Sequence, residues 1–392
     1  MERDRRALLA GGAAAFLLGG LGIRAWDRGV WSGGEGVAYA PWKEWRGHAD
    51  DGGNRPLRAA ILAANPHDTQ PWLFQVRENA ITLFADRVRN LGSFDPFRRE
   101  MHLGLGAAVE NLVVAARATG LSAIIDPVEG RLTLSPDNSP IAVARITFRP
   151  IPPACGPLFG AIPYRHTNRG AYRADHAVDT ELLRRFANLV SDVNVRAVFV
   201  TDKVARGELG ALIVAATIRI VGDSQMSADS ARWFRTGGRD IAVHRDGVTV
   251  DTAGASPFVT AMSKMLPDLD GKSADQYWLA TTRDTEVPTA PVLGMLLVRD
   301  RLDMRAAIGA GHAWQRLHLA LTVAGLAAQP LNQPVECVDR SAMRGGSDSF
   351  GPAMAKFAGM PGWEPTFMFR LGVADRIAGS SPRRPLNEVL IT

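Results

Sequence analysis

The chain has 392 residues, enough for about two domains' worth of core, and its 46% hydrophobic and 22% charged composition is that of a folded globule, not of a disordered or fibrous chain. The formal net charge of +5 is carried mostly by arginine. No clustered Lys/Arg stripe with interleaved aromatics appears, which argues against nucleic-acid binding. Two cysteines, Cys155 and Cys337, and eight scattered histidines provide neither a disulfide framework nor zinc-type ligand spacing. His312 and His318, six apart, fall on different faces of a helix. Two free, buried thiols are expected.

The predicted elements begin with a segment unlike the rest. Arg5 and Arg6 stand ahead of an apolar, Gly/Ala-rich run that ends at Ile23. Such a pair before such a run resembles a twin-arginine export signal, and the run is short and glycine-rich for a stable membrane span. Residues 1–40 are therefore read as an export signal or an uncleaved anchor, with Ala38-Tyr39-Ala40 as a small-x-small cleavage site. The expected location is periplasmic, or membrane-anchored and facing out, with the twin-arginine export machinery as a partner.

A first body is predicted over residues 57–150, opening with a helix over Leu57–Ala64. Asn65-Pro66-His67-Asp68-Thr69-Gln70-Pro71-Trp72 follows, a turn that exposes backbone N–H groups and polar side chains ahead of a strand. Trp72 adds an apolar wall with one donor. Alone, the segment is equally an ordinary helix-to-strand turn. Gly106–Gly120 carries apolar residues at helical spacing, Val109, Leu112, Val113 and Ala116, and ends at a capping glycine. Strand-like Ile146–Arg149 comes next. The proline-rich stretch Arg149–Pro157 fits neither helix nor strand interior and marks a boundary.

A second body is predicted over residues 158–392. Arg165-His166-Thr167-Asn168-Arg169 precedes a helix over Asp179–Leu189. Two Arg and a Thr in five residues suit a phosphate, because guanidinium forks match phosphate oxygens; a solvated basic loop is the plain alternative. Residues 223–291, rich in Gly, Ser, Asp and Met, read as an inserted lid or surface subdomain. Gly311–Gly325 then repeats the earlier helix. Gly106/Gly311, Ala108/Ala313, Leu112/Leu317, Ala115/Ala320, Gly120/Gly325, Leu121/Leu326 and Ala123/Ala328 match without a gap. Asp86-Arg87 and Asp300-Arg301 precede the two helices, and Phe367–Arg370 answers Ile146–Arg149. The matches predict a duplicated α+β unit whose small-residue helices pack at the seam. Gln329–Gln333 follows the second repeat helix. Arg383 and Arg384 stand in the tail, where Arg pairs are usually solvated.

Four motifs in this order, on top of the duplication, resemble the FMN-dependent nitroreductase superfamily, and specifically its fused, Acg-type branch, over about Leu57–Ile391. The resemblance implies an α+β, nitroreductase-like fold in which two fused copies form a pseudo-dimer within a monomeric chain. Asn65–Phe74 resembles the family's Asn-x-Gln-Pro-Trp loop, Arg165–Arg169 its Arg-x-Ser/Thr-x-Arg phosphate motif, Gly325–Gln333 the segment beneath the flavin's reactive edge, and Arg384-Pro385-Leu386 the tail whose Arg meets the phosphate. FMN is thereby implied to contact Asn65, Pro66, His67, Asp68 and Gln70, then Arg165, His166, Thr167 and Arg169, then Leu331, Asn332 and Gln333, and finally Arg383 and Arg384. The phosphate clamp would be Arg165, Thr167, Arg169 and Arg384. In the family the loops of one site come from two subunits. Here each half keeps the motifs that the other lacks, which implies one complete site. Asp68 stands where the family has Asn, and Pro382 where it often has Lys.

The implied activity is two-electron hydride transfer through FMN, from NAD(P)H or another small-molecule donor to an unknown small-molecule acceptor. Flavin supplies that chemistry and the protein positions it, so no catalytic side chain and no metal is assigned. The alternative is a non-catalytic protein that stores or sequesters FMN, with residues 223–291 as its cover. A structural protein with a dead site is the third reading.

Overall fold

A computed structural model of the chain describes residues 24–31, 33–47, 54–190, 194–267 and 269–392; Arg5, Arg6 and the apolar run through Ile23 lie outside the described residues. The first sheet grows from a hairpin. β1 (Trp72–Arg77) and β2 (Ala80–Ala85) pair antiparallel with Trp72 opposite Ala85. Helix α1 (Arg99–Ala118) then leads to β3 (Leu121–Pro127) and β4 (Ile141–Pro150), giving the order β1-β2-β4-β3 with antiparallel neighbours.

The second sheet follows α2 (Thr180–Val190) and starts at β5 (Arg196–Val200). A long excursion intervenes: α3 (Lys203–Val221), the two-residue strands β6 (Phe234–Arg235) and β7 (Val248–Thr249), and α4 (Pro257–Met265). Then come β8 (Val292–Val298), α5 (Met304–Val323), β9 (Ala327–Pro330), α6 (Gln333–Met343) and β10 (Glu364–Gly372). The order is β5-β8-β10-β9, again antiparallel throughout. Each sheet thus has the same strand order and carries its long helix between its second and third strands. The chain ends by crossing back: β11 (Leu390–Ile391) pairs parallel with β1, Phe74 opposite Leu390.

The sheets differ in how they are covered. All seven residues of β8, Val-Leu-Gly-Met-Leu-Leu-Val, are buried. Val292, Leu296 and Val298 pack with Trp314 and Leu317 of α5, while Leu293, Met295 and Leu297 pack with Leu209 and Ile213 of α3. An unbroken apolar run suits a strand covered on both faces. In the first sheet the edge strand β3 keeps Ile124 exposed.

The seam between the sheets is the α1–α5 pair. A Cβ on Gly106 would lie 2.0 Å from the Ile308 carbonyl oxygen, and one on Gly311 would lie 1.9 Å from that of Leu103. Only glycine permits these backbones to approach so closely. The contact is reciprocal, since Leu103 and Ile308 hold matching places in the repeat, as the two glycines do. Ile308 packs in the core with Phe74 and Ile81 of the first sheet, and Leu103 in the core with Val292 of the second sheet and Trp314. The polar contacts reciprocate too. Gln315 Nε2 donates to Asn111 Oδ1 at 2.7 Å, and the Arg316 guanidinium meets both oxygens of Glu110 at 2.8 and 3.2 Å.

Several expectations shift. α1 begins at Arg99, ahead of the predicted Gly106, because the Asp95 carboxylate accepts from the Glu100 and Met101 amides and so caps a longer helix. The first predicted helix runs Arg55–Ala60. The excursion without a counterpart in the first sheet starts directly after β5, earlier than 223, since α3 builds the second sheet's outer core. Ala38 and Tyr39, read as part of a cleavage site, are buried, and the Ala38 carbonyl accepts from the Arg383 amide at 2.7 Å. Cleavage there would cut into the folded body. Cys155 is exposed, not buried, while Cys337 is buried; both are free. Among the described residues no helix is long and apolar enough to cross a membrane.

Candidate functional site

The loop Asn65–Gln70 is held in an unusual backbone. His67, Asp68 and Gln70 have φ of 47°, 55° and 50°, left-handed values that cost a non-glycine residue roughly 1–2 kcal/mol each. Asn65 holds the loop shut: its Oδ1 accepts from the Gln70 amide at 2.7 Å, and its Nδ2 donates to the Ala63 carbonyl at 3.2 Å and to Asp68 Oδ1 at 3.3 Å. Pro66 and Asn65 lie against Gly104 of α1. Strain kept by so many bonds is a mark of functional loops.

Two arginines converge on this loop from the second body. Arg383 reaches in from the tail, donating to Asp68 Oδ1, the Ser381 hydroxyl and the Ala63 carbonyl, with its guanidinium over the Trp42 ring at 4.9 Å. Arg165 donates to the Leu62 carbonyl at 3.1 Å. They are 2% and 3% exposed. Asp68 is the carboxylate that answers both. Burial pushes Arg165 down to about 9, reinforced by Arg383. His166, edge-on to Trp42 at 4.7 Å, is pushed down to about 3 by burial and then by the same arginines. The Nε atoms of Arg165 and Arg383, with Thr69 Oγ1, Trp72 Nε1 and His318 Nδ1, are buried without a protein partner. Two buried cations against one buried anion, with donors unspent, is a composition that calls for a further anion.

The remaining predicted residues fall into three places. Thr167 and Arg169 line a cavity of about 470 Å³ bounded by Thr167–Ala171, by Asp251–Thr260 of the excursion and by Asp375–Gly379 of the tail. Arg169 donates to the Thr252 carbonyl at 3.1 Å. Gly254, φ 83°, presses so close that a Cβ would sit 2.4 Å from the Arg169 carbonyl carbon. Arg384 turns aside, its amide on Gln70 Oε1 at 2.7 Å and its guanidinium on the Gln70 and Glu388 carbonyls. The implied clamp of Arg165, Thr167, Arg169 and Arg384 therefore does not face one cavity, and Arg383 occupies the inner place expected of Arg384.

Leu331, Asn332 and Gln333 form the third place, where α6 starts. Leu331 N donates to the Met368 carbonyl at 2.9 Å, Asn332 Oδ1 accepts from the Met368 amide at 3.1 Å, and Asn332 Nδ2 donates to Glu100 of α1. Gln333 Oε1 is buried without a partner. Around them lie Asp95, Glu100, Glu336 and Asp339 with Arg99 and Arg301; Arg99 Nε meets Asp339 at 2.7 Å. Burial raises Asp95 to about 7 and raises Glu336 well above its ordinary value, helped by its neighbour Glu100.

The excursion closes over the Asn65–Gln70 loop. His67 Nε2 meets the Ser230 hydroxyl at 2.9 Å, Gln70 Nε2 donates to the Arg245 carbonyl at 2.9 Å, and the Gly247 amide donates to the Asp68 carbonyl at 3.1 Å. Sequence reasoning missed these partners. It also missed Arg370, which is fully buried. Arg370 donates to Gln329 Oε1 and the Gly170 carbonyl at 2.7 Å each and lies 3.9 Å over the Tyr172 ring, so it props the Arg165–Arg169 segment. A lone Arg inside the apolar strand Phe367–Leu371 was the available signal, since a buried charge must find partners.

The geometry defines an α+β protein in which the Asn65–Gln70 loop, Arg165 and Arg383 meet where two like sheets abut across a helix pair. In sequence the chain is nitroreductase-like along most of its length. It is 27% identical over 358 residues, 85% of this chain and 89% of the other, to "Putative NAD(P)H nitroreductase Rv3131" of Mycobacterium tuberculosis. It is 31% identical over 94 residues to "Putative NAD(P)H nitroreductase acg" of the same organism, 24% of this chain and 27% of that one. No family model matches the chain. Among solved structures, the FMN-dependent nitroreductase NfnB from Mycobacterium smegmatis, in complex with NADPH, is 20% identical and overlaps 57% of this chain and 92% of that one at a TM-score of 0.34. A "putative nitroreductase" from Anabaena variabilis is 12% identical and overlaps 75% of this chain and 69% of that one at a TM-score of 0.42. The fold rests on the strand order and helix pair above.

Proposed function

We propose that the chain is a flavin-dependent oxidoreductase of the nitroreductase type, built from two fused copies of that fold that hold one FMN between them. The observation that carries the reading is the buried excess of positive charge at Arg165 and Arg383, where three motifs from both bodies converge. A phosphate monoester fits that composition. Arg165 and Arg383 would give it charge-assisted hydrogen bonds, with Arg169 and Thr167 at the neighbouring cavity wall. When bound, FMN supplies two-electron hydride chemistry. The chain's own residues do the rest: Asn65 fixes the strained loop, Arg370 props the Arg165–Arg169 segment, and Ser230, Arg245 and Thr252 of the excursion shield the loops from water. The equal strand orders, the reciprocal helix contacts and the likeness to relatives named "Putative NAD(P)H nitroreductase" all support the reading. NAD(P)H is the donor it suggests, and export in the folded, flavin-loaded state accords with the Arg5-Arg6 signal.

Arg165→Met tests it. The substitution removes one excess cation and leaves no carboxylate unpaired, so the fold should hold. FMN should bind about ten-fold more weakly or worse, as losing a charge-assisted bond of roughly 1.5–3 kcal/mol requires. Riboflavin, which lacks the phosphate, should bind both forms alike. Equal loss for the two ligands would show that Arg165 serves the fold and not a phosphate. A storage role is the second reading, favoured by the excursion's bonds to His67, Asp68, Gln70 and Arg169. Bound flavin that NADPH reduces and an added nitroaromatic reoxidises would count against storage.

A further inference from the structure

Helix α4 is two-faced in an unexpected sense. Its inner side is polar and anchored: Lys264 is buried, 2.8 Å from both Asp251 Oδ1 and the Gly29 carbonyl. Its outer side is apolar and bare. Phe258 is 75% exposed, and Val259, Met262 and Leu266 are exposed beside it at helical spacing. Such a contiguous patch on a folded protein marks an interaction surface.

The chain itself indicates what covers that face. Arg24, the first described residue, donates from Nε to the Met265 carbonyl at 2.9 Å and from Nη2 to the Leu266 carbonyl at 3.2 Å. The described chain therefore starts beside the end of α4, and in sequence an apolar run directly precedes Arg24. Trp26, two residues further on, is 81% exposed. An exposed tryptophan two residues from the Arg24 anchor and a helix with a bare apolar face, in a chain whose sequence is apolar just before Arg24, are the parts of an interfacial membrane contact.

We propose that the outer face of α4, together with Trp26, is a docking surface for a phospholipid bilayer. The contact is interfacial, made by side chains that enter the headgroup–acyl boundary, and it does not depend on what the nearby cavity holds. Pro257 and Thr260 of the same helix line that cavity, as does Ile377, 98% exposed at its rim. Docking by α4 thus sets the cavity's mouth at the membrane surface.

The test uses the full chain with vesicles of phosphatidylcholine containing one quarter phosphatidylglycerol. Phe258→Ser combined with Met262→Ser should lower vesicle binding by about ten-fold or more, the loss expected from two large apolar side chains, while the melting temperature without lipid stays unchanged because both positions are exposed. In the unsubstituted chain, vesicles should slow amide exchange across Pro257–Leu266. Unchanged vesicle binding by the double variant would overturn the proposal, since the run before Arg24 would then do all the binding. So would unaltered exchange across α4. A lipid-free dimer that the double variant dissociates would instead make this face an interface between two copies of the chain.

Discussion

At Asp68 two demands conflict. Burial pushes its carboxyl up to about 6, while Arg383 and the Asn65 amide pull it down. When ionised it neutralises one of the two buried guanidiniums, and so it competes with any anionic ligand for Arg383. Asp68→Asn keeps the shape and removes the charge. It should tighten FMN by about ten-fold, close to 1.4 kcal/mol, and leave riboflavin unchanged. Weaker FMN binding in the variant would mean that the carboxylate's hold on Arg383 matters more than its charge. At this scale the residues that meet around Arg165 and Arg383 were legible in the sequence through the order of the four motifs, since each motif alone reads as an ordinary turn or a solvated loop. Which of Arg383 and Arg384 points inward was not. That choice follows from the tail's course, fixed by the Arg383 amide on Ala38 and by β11 beside β1, and neither contact has a local signature.

Helix α5 contains two kinds of glycine. Gly311 faces the Leu103 carbonyl at the seam, whereas a Cβ on Gly309 would meet only Val195 Cγ2, at an ordinary 3.7 Å. Gly311→Ala should destabilise the chain by about 1–3 kcal/mol or more through overpacking. Gly309→Ala should stabilise it by roughly 0.5–1 kcal/mol through helix propensity. Denaturant unfolding of both variants checks this, and similar effects at the two positions would mean that the helices are not in backbone contact. The cluster at the start of α6 makes a pH prediction. Glu336 is raised well above its ordinary value by burial and by Glu100. A carboxyl whose pKa rises on folding contributes stability that is full below its unfolded value and is lost as pH climbs through the folded one. Glu336→Gln, which mimics the protonated form, should therefore raise the melting temperature more at about pH 8 than at about pH 5, by roughly 1 kcal/mol or more in stability. Equal effects at the two pH values would show that Glu336 holds no extra proton. The helix repeat was plain in the sequence because small residues recur where backbones touch. The double cover of the second sheet is legible in the unbroken apolar run Val292–Val298. The extent of the excursion is not, since α3 has an ordinary helical composition and only tertiary packing assigns it to the second sheet.

Across the whole molecule, sequence and structure show the likeness of the two halves from different sides. Matching residues along α1 and α5 are a local signal, while the shared strand order and the return of β11 to the first sheet emerge only when both sheets are seen. The complementary motifs, Asn65–Trp72 in one body and Arg165–Arg169 in the other, gain their meaning from the seam that brings them together. If this is a pseudo-dimer, its internal interface is already covered within one chain, and no second chain is needed to complete a site. One flavin site shared by the two halves predicts a definite amount of flavin released per chain on denaturation, measured alongside the mass of the native protein in solution. One FMN per chain, bound by a monomer, is the predicted result. Two per chain, or flavin held only by a dimer, would contradict it.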